Sequence, residues 1–257
     1  MLVFGAHGIY KSAFRVPHLA SSSPPCSFVS PVVEDFDLPI LDSLALPAIL
    51  AILLNEEDGT IYTLNYVKLL PEQYDFPTLP DYLRPGLDLI FIGINPGLYS
   101  LRRGHYFART TSRFWPAFSR SNLSQRMRHE LKLEKLLAEH DSQLPRFGIG
   151  LTDVVKRPSA NASELTSKDF IIWIPILLEK LRRYAPRVAC FHGLTAYRPF
   201  HNLALKSAGT PPVLGPQPER IGDTRLFVVP NPSPANAHFT LADQTDWYNR
   251  LSDFLNT

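Results

Sequence analysis

One nearly unbroken apolar run, Leu89, Ile90, Phe91, Ile92 and Ile94, stops abruptly at Asn95-Pro96-Gly97. A run of this length without polar alternation predicts a strand covered on both faces, as in a parallel sheet. Pro96 removes a backbone donor and Gly97 opens conformations closed to other residues, so the strand must turn there. Shorter runs at 147–155, 187–192 and 224–229 predict three more strands.

The segments between them follow a different period. Leu131, Leu133, Leu136 and Leu137 predict an amphipathic helix over 126–140. Ile171, Ile174, Leu177, Leu178 and Leu181 predict another over 163–185, capped by Ser163, Thr166 or Ser167 and kinked or divided at Pro175. Helices are also expected over 195–205, with Pro199 inside, and over 243–255. Ser112 is placed to cap a further helix carrying Arg113, Phe114, Trp115 and Phe118. Strands alternating with helices predict an α/β domain around a mostly parallel, four-stranded sheet.

Residues 1–76 carry no recognisable motif and read as an appended region ahead of a domain over 77–257. The apolar run 44–54 contains Pro47 and is too short to span a bilayer. It reads as a short helix packed on the domain, or as sequence of little consequence to the fold. Residues 1–30 hold Lys11, Arg15, several serines and no acid, a faint likeness to a mitochondrial presequence.

Composition narrows the function. Apolar residues make up 45% of the 257, ample for a core. Two cysteines, Cys26 and Cys190, are too few for a disulfide framework, a four-cysteine zinc site or an iron–sulfur cluster. The net charge of +2 hides an asymmetry, −6 over 1–80 against +8 over 81–257. Between Asp88 and Glu130 there is no acid, but arginine stands at 102, 103, 109, 113, 120, 126 and 128. A basic stretch directly after the Asn95 turn points to a polyanionic partner; the plainer reading is a solvated basic face.

Asn95 is therefore held at the carboxyl end of a buried strand, where open α/β sheets place their ligands. Asn before Pro is also common turn chemistry. A second Asn-Pro pair, Asn231-Pro232, ends the strand predicted at 224–229. If the strands run parallel, both turns share one crevice, which turn preference alone does not explain.

Five separate blocks agree in order and spacing with one family. Gly93-Ile-Asn-Pro-Gly97 with Leu98, Gly104-His-Tyr-Phe107 with Arg113-Phe-Trp115, Gly150-Leu-Thr-Asp-Val-Val-Lys-Arg-Pro158, Glu164-Leu-Thr-Ser-Lys-Asp-Phe170 and Asn231-Pro-Ser233 resemble the mismatch-specific uracil/thymine-DNA glycosylases. Thr78-Leu-Pro-Asp81 fits upstream of them. The resemblance covers about residues 77–257. It implies a three-layer α/β/α sandwich around a short parallel sheet. It also implies a monofunctional hydrolase that flips uracil, or thymine opposite guanine, out of DNA and cuts its N-glycosidic bond without a metal or other cofactor. The implied partner is double-stranded DNA with a mismatched or deaminated base. A monomer is expected, off the membrane and in the nucleus, with the mitochondrion left open by the N-terminus.

The resemblance also implies roles. Asn95 would position the attacking water, and Gly93 and Ile94 would meet the base through their backbone. Phe107 would stack on the extruded base; otherwise it is a core phenylalanine. Asp153 would touch the base edge, accepting from N3–H while repelling the leaving anion, or would be a structural carboxylate bonded to Lys156 or Arg157. Ser159 is a weaker candidate. Ser233, Ala235 and Asn236 would meet the DNA, although Pro234-Ala-Asn236 lacks the large wedge residue of the family. Arg102, Arg103, Arg109, Arg113, Lys156 and Arg157 would face phosphates. The broader uracil-DNA glycosylases carry Asp and His where Asn95 and Asn231 stand, so their mechanism does not transfer. Two rivals remain: a DNA-binding protein of the same fold with little activity, and a metal-dependent nucleotide hydrolase, for which no phosphate-cradling glycine loop is present.

Overall fold

The computed structural model describes residues 11–14, 50–54, 61–65, 75–205 and 211–257. The chain divides into two compact units, Met1–Tyr74 and Asp75–Thr257. In the first, β1 (Lys11–Phe14), β2 (Leu50–Leu54) and β3 (Ile61–Asn65) form an antiparallel sheet in the order β1-β3-β2. Residues 50–54 are thus a strand, not the helix read over 44–54; 44–49, Cys26 and all of the presequence-like 1–30 except 11–14 lie outside the described residues.

The second unit is built on β4 (Leu89–Gly93), β5 (Ile149–Asp153), β6 (Val188–His192), β7 (Gly215–Ile221) and β8 (Thr224–Val229). Their order is β5-β4-β6-β8-β7. The four predicted strands are parallel, and β7 adds an antiparallel fifth at the edge. Pro216 and Pro218 hide β7 in the sequence, because proline argues against a strand; at an edge the missing donors cost little. Gly222, at φ +57°, makes the tight turn into β8.

Every residue of β4, β5 and β6 is buried, as the unalternated runs required. Alternate side chains serve opposite layers. On one face Phe91 meets Phe114 and Phe118 edge-on, at 5.4 and 6.0 Å, and lies 5.7 Å from Tyr248. These come from α2 (Phe114–Arg120) and α6 (Leu241–Leu255), while α1 (Leu98–Arg103) follows the Asn95 turn. On the other face Phe191 packs on Tyr197 and Phe200 of α5 (Leu194–Phe200), and α4 (Ser167–Tyr184) buries Trp173, Ile174, Leu177 and Leu181. The sheet is covered on both faces, as an α/β/α sandwich requires.

Two helical expectations need correction. Pro175 neither divides nor ends α4, which runs unbroken to Tyr184. The acceptor it leaves without a partner belongs to Ile171, which is 55% exposed and open to water. Residues 126–140 are not one helix. α3 (Gln125–Leu131) stops at Lys132, which is left-handed at φ +55°. Leu136 then enters the core, its backbone N–H and C=O both bonded to the Ser119 hydroxyl, at 2.7 and 3.1 Å, while Leu137 turns outward. The cap of α4 is Thr166, whose N–H donates to Asp169 at 2.8 Å.

Candidate active site

Parallel strands bring their carboxyl ends to one side, and there a cleft of about 750 Å³ opens. Gly93, Asn95, Phe107, Asp153, His192 and Ser233 line it. The two Asn-Pro turns do share one crevice. Gly193, at φ +93°, lets the second turn lie close to the end of β6: a side chain there would begin 2.9 Å from the Cβ of Asn231.

Asn95 is fixed by the segment after β5. That segment is tied to the turn through Val154 N–H to Gly93 O at 2.8 Å, Val155 N–H to Ile94 O at 2.9 Å and Ser159 N–H to Pro96 O at 3.2 Å. Asn95 Nδ2 donates to Arg157 O at 3.0 Å and to Ser159 Oγ at 2.8 Å; Ser159 in turn donates to Asn161 O at 2.8 Å. A carbonyl only accepts, so Arg157 O decides which end of the amide faces it. That leaves Oδ1 as the amide's acceptor in a residue that lines the cleft.

Phe107 is not a core residue. It is half-buried on the cleft wall, one face stacked on Phe114 at 4.1 Å with an interplanar angle of 11°. Its backbone is left-handed, φ +53°, which costs a residue with a Cβ about 1 kcal/mol or more. The loop carrying it is clamped from behind. Asp141, fully buried, accepts from Tyr106 N–H at 2.8 Å and meets His105 Nδ1 at 3.1 Å, and Trp115 Nε1 donates to Tyr106 O at 2.8 Å.

Asp153 closes the inner end. Its Oδ1 would lie 2.5 Å from a Cβ at position 93, so Gly93 is the residue that lets this carboxyl reach the cleft. It is 4% exposed, Oδ2 has no hydrogen-bond partner, and the Lys156 ammonium stands 3.7 Å away. Burial pushes its pKa up to about 6; Lys156 opposes the rise and the Asp81 carboxylate adds to it. Behind it, Asp81 holds Lys156 Nζ at 2.9 Å and Lys180 Nζ at 2.5 Å. Burial alone would raise Asp81, but the two ammoniums over-compensate and hold it at about 2.

The expected phosphate contacts divide. Lys156 is 2% exposed and committed to Asp81 and to the Tyr106 hydroxyl at 3.1 Å, so it faces the interior, not DNA. Arg113 is also corrected: Nη2 donates to Ser233 O at 2.5 Å and Asn236 O at 2.7 Å, shaping the loop after the second turn. Arg157 makes a two-pronged pair with Asp169 at 2.6 and 2.9 Å, and Arg103 meets Glu139 at 3.2 Å on the surface. Arg102 and Arg109 are exposed, their guanidiniums without a hydrogen-bond partner among the described residues, and Arg109 lines the cleft. Ser233, Ala235 and Asn236 stand at its rim, with Ser233 N–H bonded to Asn231 Oδ1 at 3.0 Å.

The sequence reading passed over His192. It lines the cleft at the end of β6, 2% exposed, with Nε2 3.0 Å from the Tyr248 hydroxyl and Phe107 at 5.1 Å. Burial drives its pKa down to about 3, so it is a neutral imidazole. The signal was available: it closes a predicted parallel strand, on the same edge as Asn95 and Asp153.

The profile of the uracil DNA glycosylase superfamily matches residues 80–254, covering all of this constellation. The chain belongs to that superfamily. A curated relative, the G/U mismatch-specific uracil DNA glycosylase of Schizosaccharomyces pombe, is 29% identical over 180 residues, 69% of this chain and 54% of the relative. The chain thus spans about half the length of that glycosylase. A solution NMR structure of a candidate uracil DNA glycosylase from Methanosarcina acetivorans superposes with a TM-score of 0.46 at 18% identity, over 70% of this chain and 98% of that one.

Proposed function

We propose that this chain is a monofunctional DNA glycosylase that hydrolyses the N-glycosidic bond of uracil opposite guanine. Thymine opposite guanine is the second substrate of the proposal. The observation that carries it is the hold on Asn95: Arg157 O and Ser159 Oγ bind its amide nitrogen, which leaves Oδ1 as the free acceptor of a residue that lines the cleft with Phe107. An acceptor there can orient a water at C1′ of a flipped nucleotide while the base lies on the open face of Phe107. The C1′–N1 bond breaks with its electrons going to the base, the water oxygen bonds to C1′, and a proton passes to solvent. An amide is no strong base, so positioning carries the catalysis and turnover is slow.

Asp153, ionised at neutral pH, accepts from N3–H of the base in this reading. Arg102 and Arg109 approach the flanking phosphates, and the loop set by Arg113 enters the duplex. The protein acts as a monomer, and a nuclear compartment is proposed on the substrate alone. The test is single-turnover release of base from G·U, G·T and A·U duplexes with EDTA present, for the wild type and Asn95→Ala. Release from G·U that disappears in Asn95→Ala while DNA binding persists supports the reading. Salt-sensitive binding by both proteins without release from any duplex overturns it in favour of DNA binding alone.

A further inference from the structure

Asp141 is fully buried and does not line the cleft, so it meets neither base nor phosphate. It stands in the short helical turns Ala138–Phe147, 35 residues beyond Tyr106. No lysine or arginine pairs with it among the described residues. Burying a carboxyl without a fixed cation is costly unless its oxygens are hydrogen-bonded. Both are: Oδ2 accepts from Tyr106 N–H at 2.8 Å, and Oδ1 meets His105 Nδ1 at 3.1 Å. The Tyr82 phenol faces the same carboxyl; burial first, then Asp141, pushes its pKa up to about 12. The two residues that Asp141 holds, His105 and Tyr106, stand immediately before Phe107.

Phe107 needs that hold. Its φ of +53° lies in the left-handed region, which a phenylalanine keeps only where the surrounding chain over-determines it. The chain is pinned on both sides. Ahead of it, Tyr106 donates its N–H to Asp141, accepts from Trp115 Nε1 at its carbonyl at 2.8 Å, and accepts from Lys156 Nζ at its hydroxyl at 3.1 Å. Behind it, Ala108 N–H donates to Ser100 Oγ of α1 at 3.2 Å, while Ser100 O accepts from His105 N–H at 3.2 Å. With Tyr106 N–H released, the loop can rotate, Phe107 can return to negative φ, and its ring leaves Phe114, on which it now stacks at 4.1 Å.

We infer that Asp141 is a positioning residue for base release: it holds the loop so that the open face of Phe107 is in place before the nucleotide arrives, and it acts on the reaction only through that ring. The inference rests on the glycosylase reading and adds to it a residue outside the cleft. A platform formed in advance carries no ordering cost at the moment of binding. It also makes the two residues one unit. Groups that act through one another are non-additive, whereas independent contributions multiply in the rate.

The experiment is a double-mutant cycle in single-turnover uracil release from a subsaturating G·U duplex. The variants are Asp141→Ala, Asp141→Asn, Phe107→Leu and Asp141→Ala combined with Phe107→Leu, each rate corrected for the folded fraction from a denaturant melt. Asp141→Ala should slow release by about tenfold or more, as for the loss of a hydrogen bond to a carboxyl group. Asp141→Asn should restore most of the rate, because its amide oxygen accepts from Tyr106 N–H while its amide nitrogen donates to the His105 ring in the other tautomer. In the Phe107→Leu background, Asp141→Ala should cost less than about twofold more. Ser100→Ala, on the partly exposed flank of the loop, gives a second cycle that leaves the buried carboxyl intact. It should slow release by about 2- to 12-fold alone and add nothing to Phe107→Leu. An undiminished rate in Asp141→Ala, equal losses in Asp141→Ala and Asp141→Asn, or losses that multiply in the double variants overturns the inference. Where Asp141→Ala has no folded fraction, the Ser100 cycle decides by the same criterion. Absence of any Asn95-dependent release from G·U by the wild type overturns the glycosylase reading instead, so the two failures are distinguishable.

Discussion

Asn95 Nδ2 lies 2.8 Å from Ser159 Oγ, a contact between residues 64 positions apart that fixes the amide nearest the proposed chemistry. Ser159→Ala should slow single-turnover uracil release by about 2- to 12-fold, the worth of one hydrogen bond of ~0.5–1.5 kcal/mol, without changing DNA affinity. Ser159→Thr should restore most of it. Asn95→Asp should be as inactive as Asn95→Ala, because it sets a carboxylate oxygen where an amide nitrogen meets Arg157 O at 3.0 Å. Kinetics and affinity measured on the four variants check this.

Phe107 pays for its left-handed backbone with a flat, open ring face. Phe107→Tyr should release uracil near the wild-type rate. Phe107→Leu, which cannot stack, should lose ~1–3 kcal/mol of base contact, about 5- to 150-fold in release from subsaturating duplex. Equal rates for the Leu variant and the wild type would show that the base lies elsewhere.

Arg109 and Arg113 separate two kinds of arginine. Arg109→Ala should lower the dependence of log affinity on log salt by about 1, as expected for one lost phosphate contact. Arg113→Ala should leave that slope unchanged and instead reduce base release, because it frees the carbonyls of Ser233 and Asn236. Salt titrations of binding, run beside kinetics, distinguish the two.

The buried charges predict a pH signature for folding. Asp81 is held below its unfolded value, so its contribution of roughly 2 kcal/mol is present above about pH 4 and fades as pH falls toward 2. Asp153 is raised, so its stabilising share is present in acid and is lost as pH climbs from about 4 to about 6. Together they place this cluster's optimum near pH 4. Lys156→Met should cost about 3–5 kcal/mol at pH 7, by leaving Asp153 and Asp81 short of a cation, and less at pH 5, where Asp153 is protonated. Denaturant melts at the two pH values measure it.

Periodicity alone settled the layers of the second unit. Runs with no polar alternation could only be strands buried on both faces, so Leu89–Gly93 and Val188–His192 were legible, and with them the edge of the sheet where Asn95 had to lie. The blocks around Asn95, Phe107 and Asn231 carried the family. What the sequence could not decide were contacts between distant segments, because periodicity is a local property. It placed Lys156 and Arg113 among phosphate-binding residues, since a lysine or arginine beside a site looks alike whether it faces solvent or a buried carboxylate. Only the packing of the segment after Asp75 against β5 puts Asp81 beneath Lys156, and only the return of the chain after β8 sets Arg113 against Ser233 and Asn236. The same assembly turned Asp153, Gly93 and His192 toward one cleft, removed the water around them, and so fixed charge states that composition cannot carry.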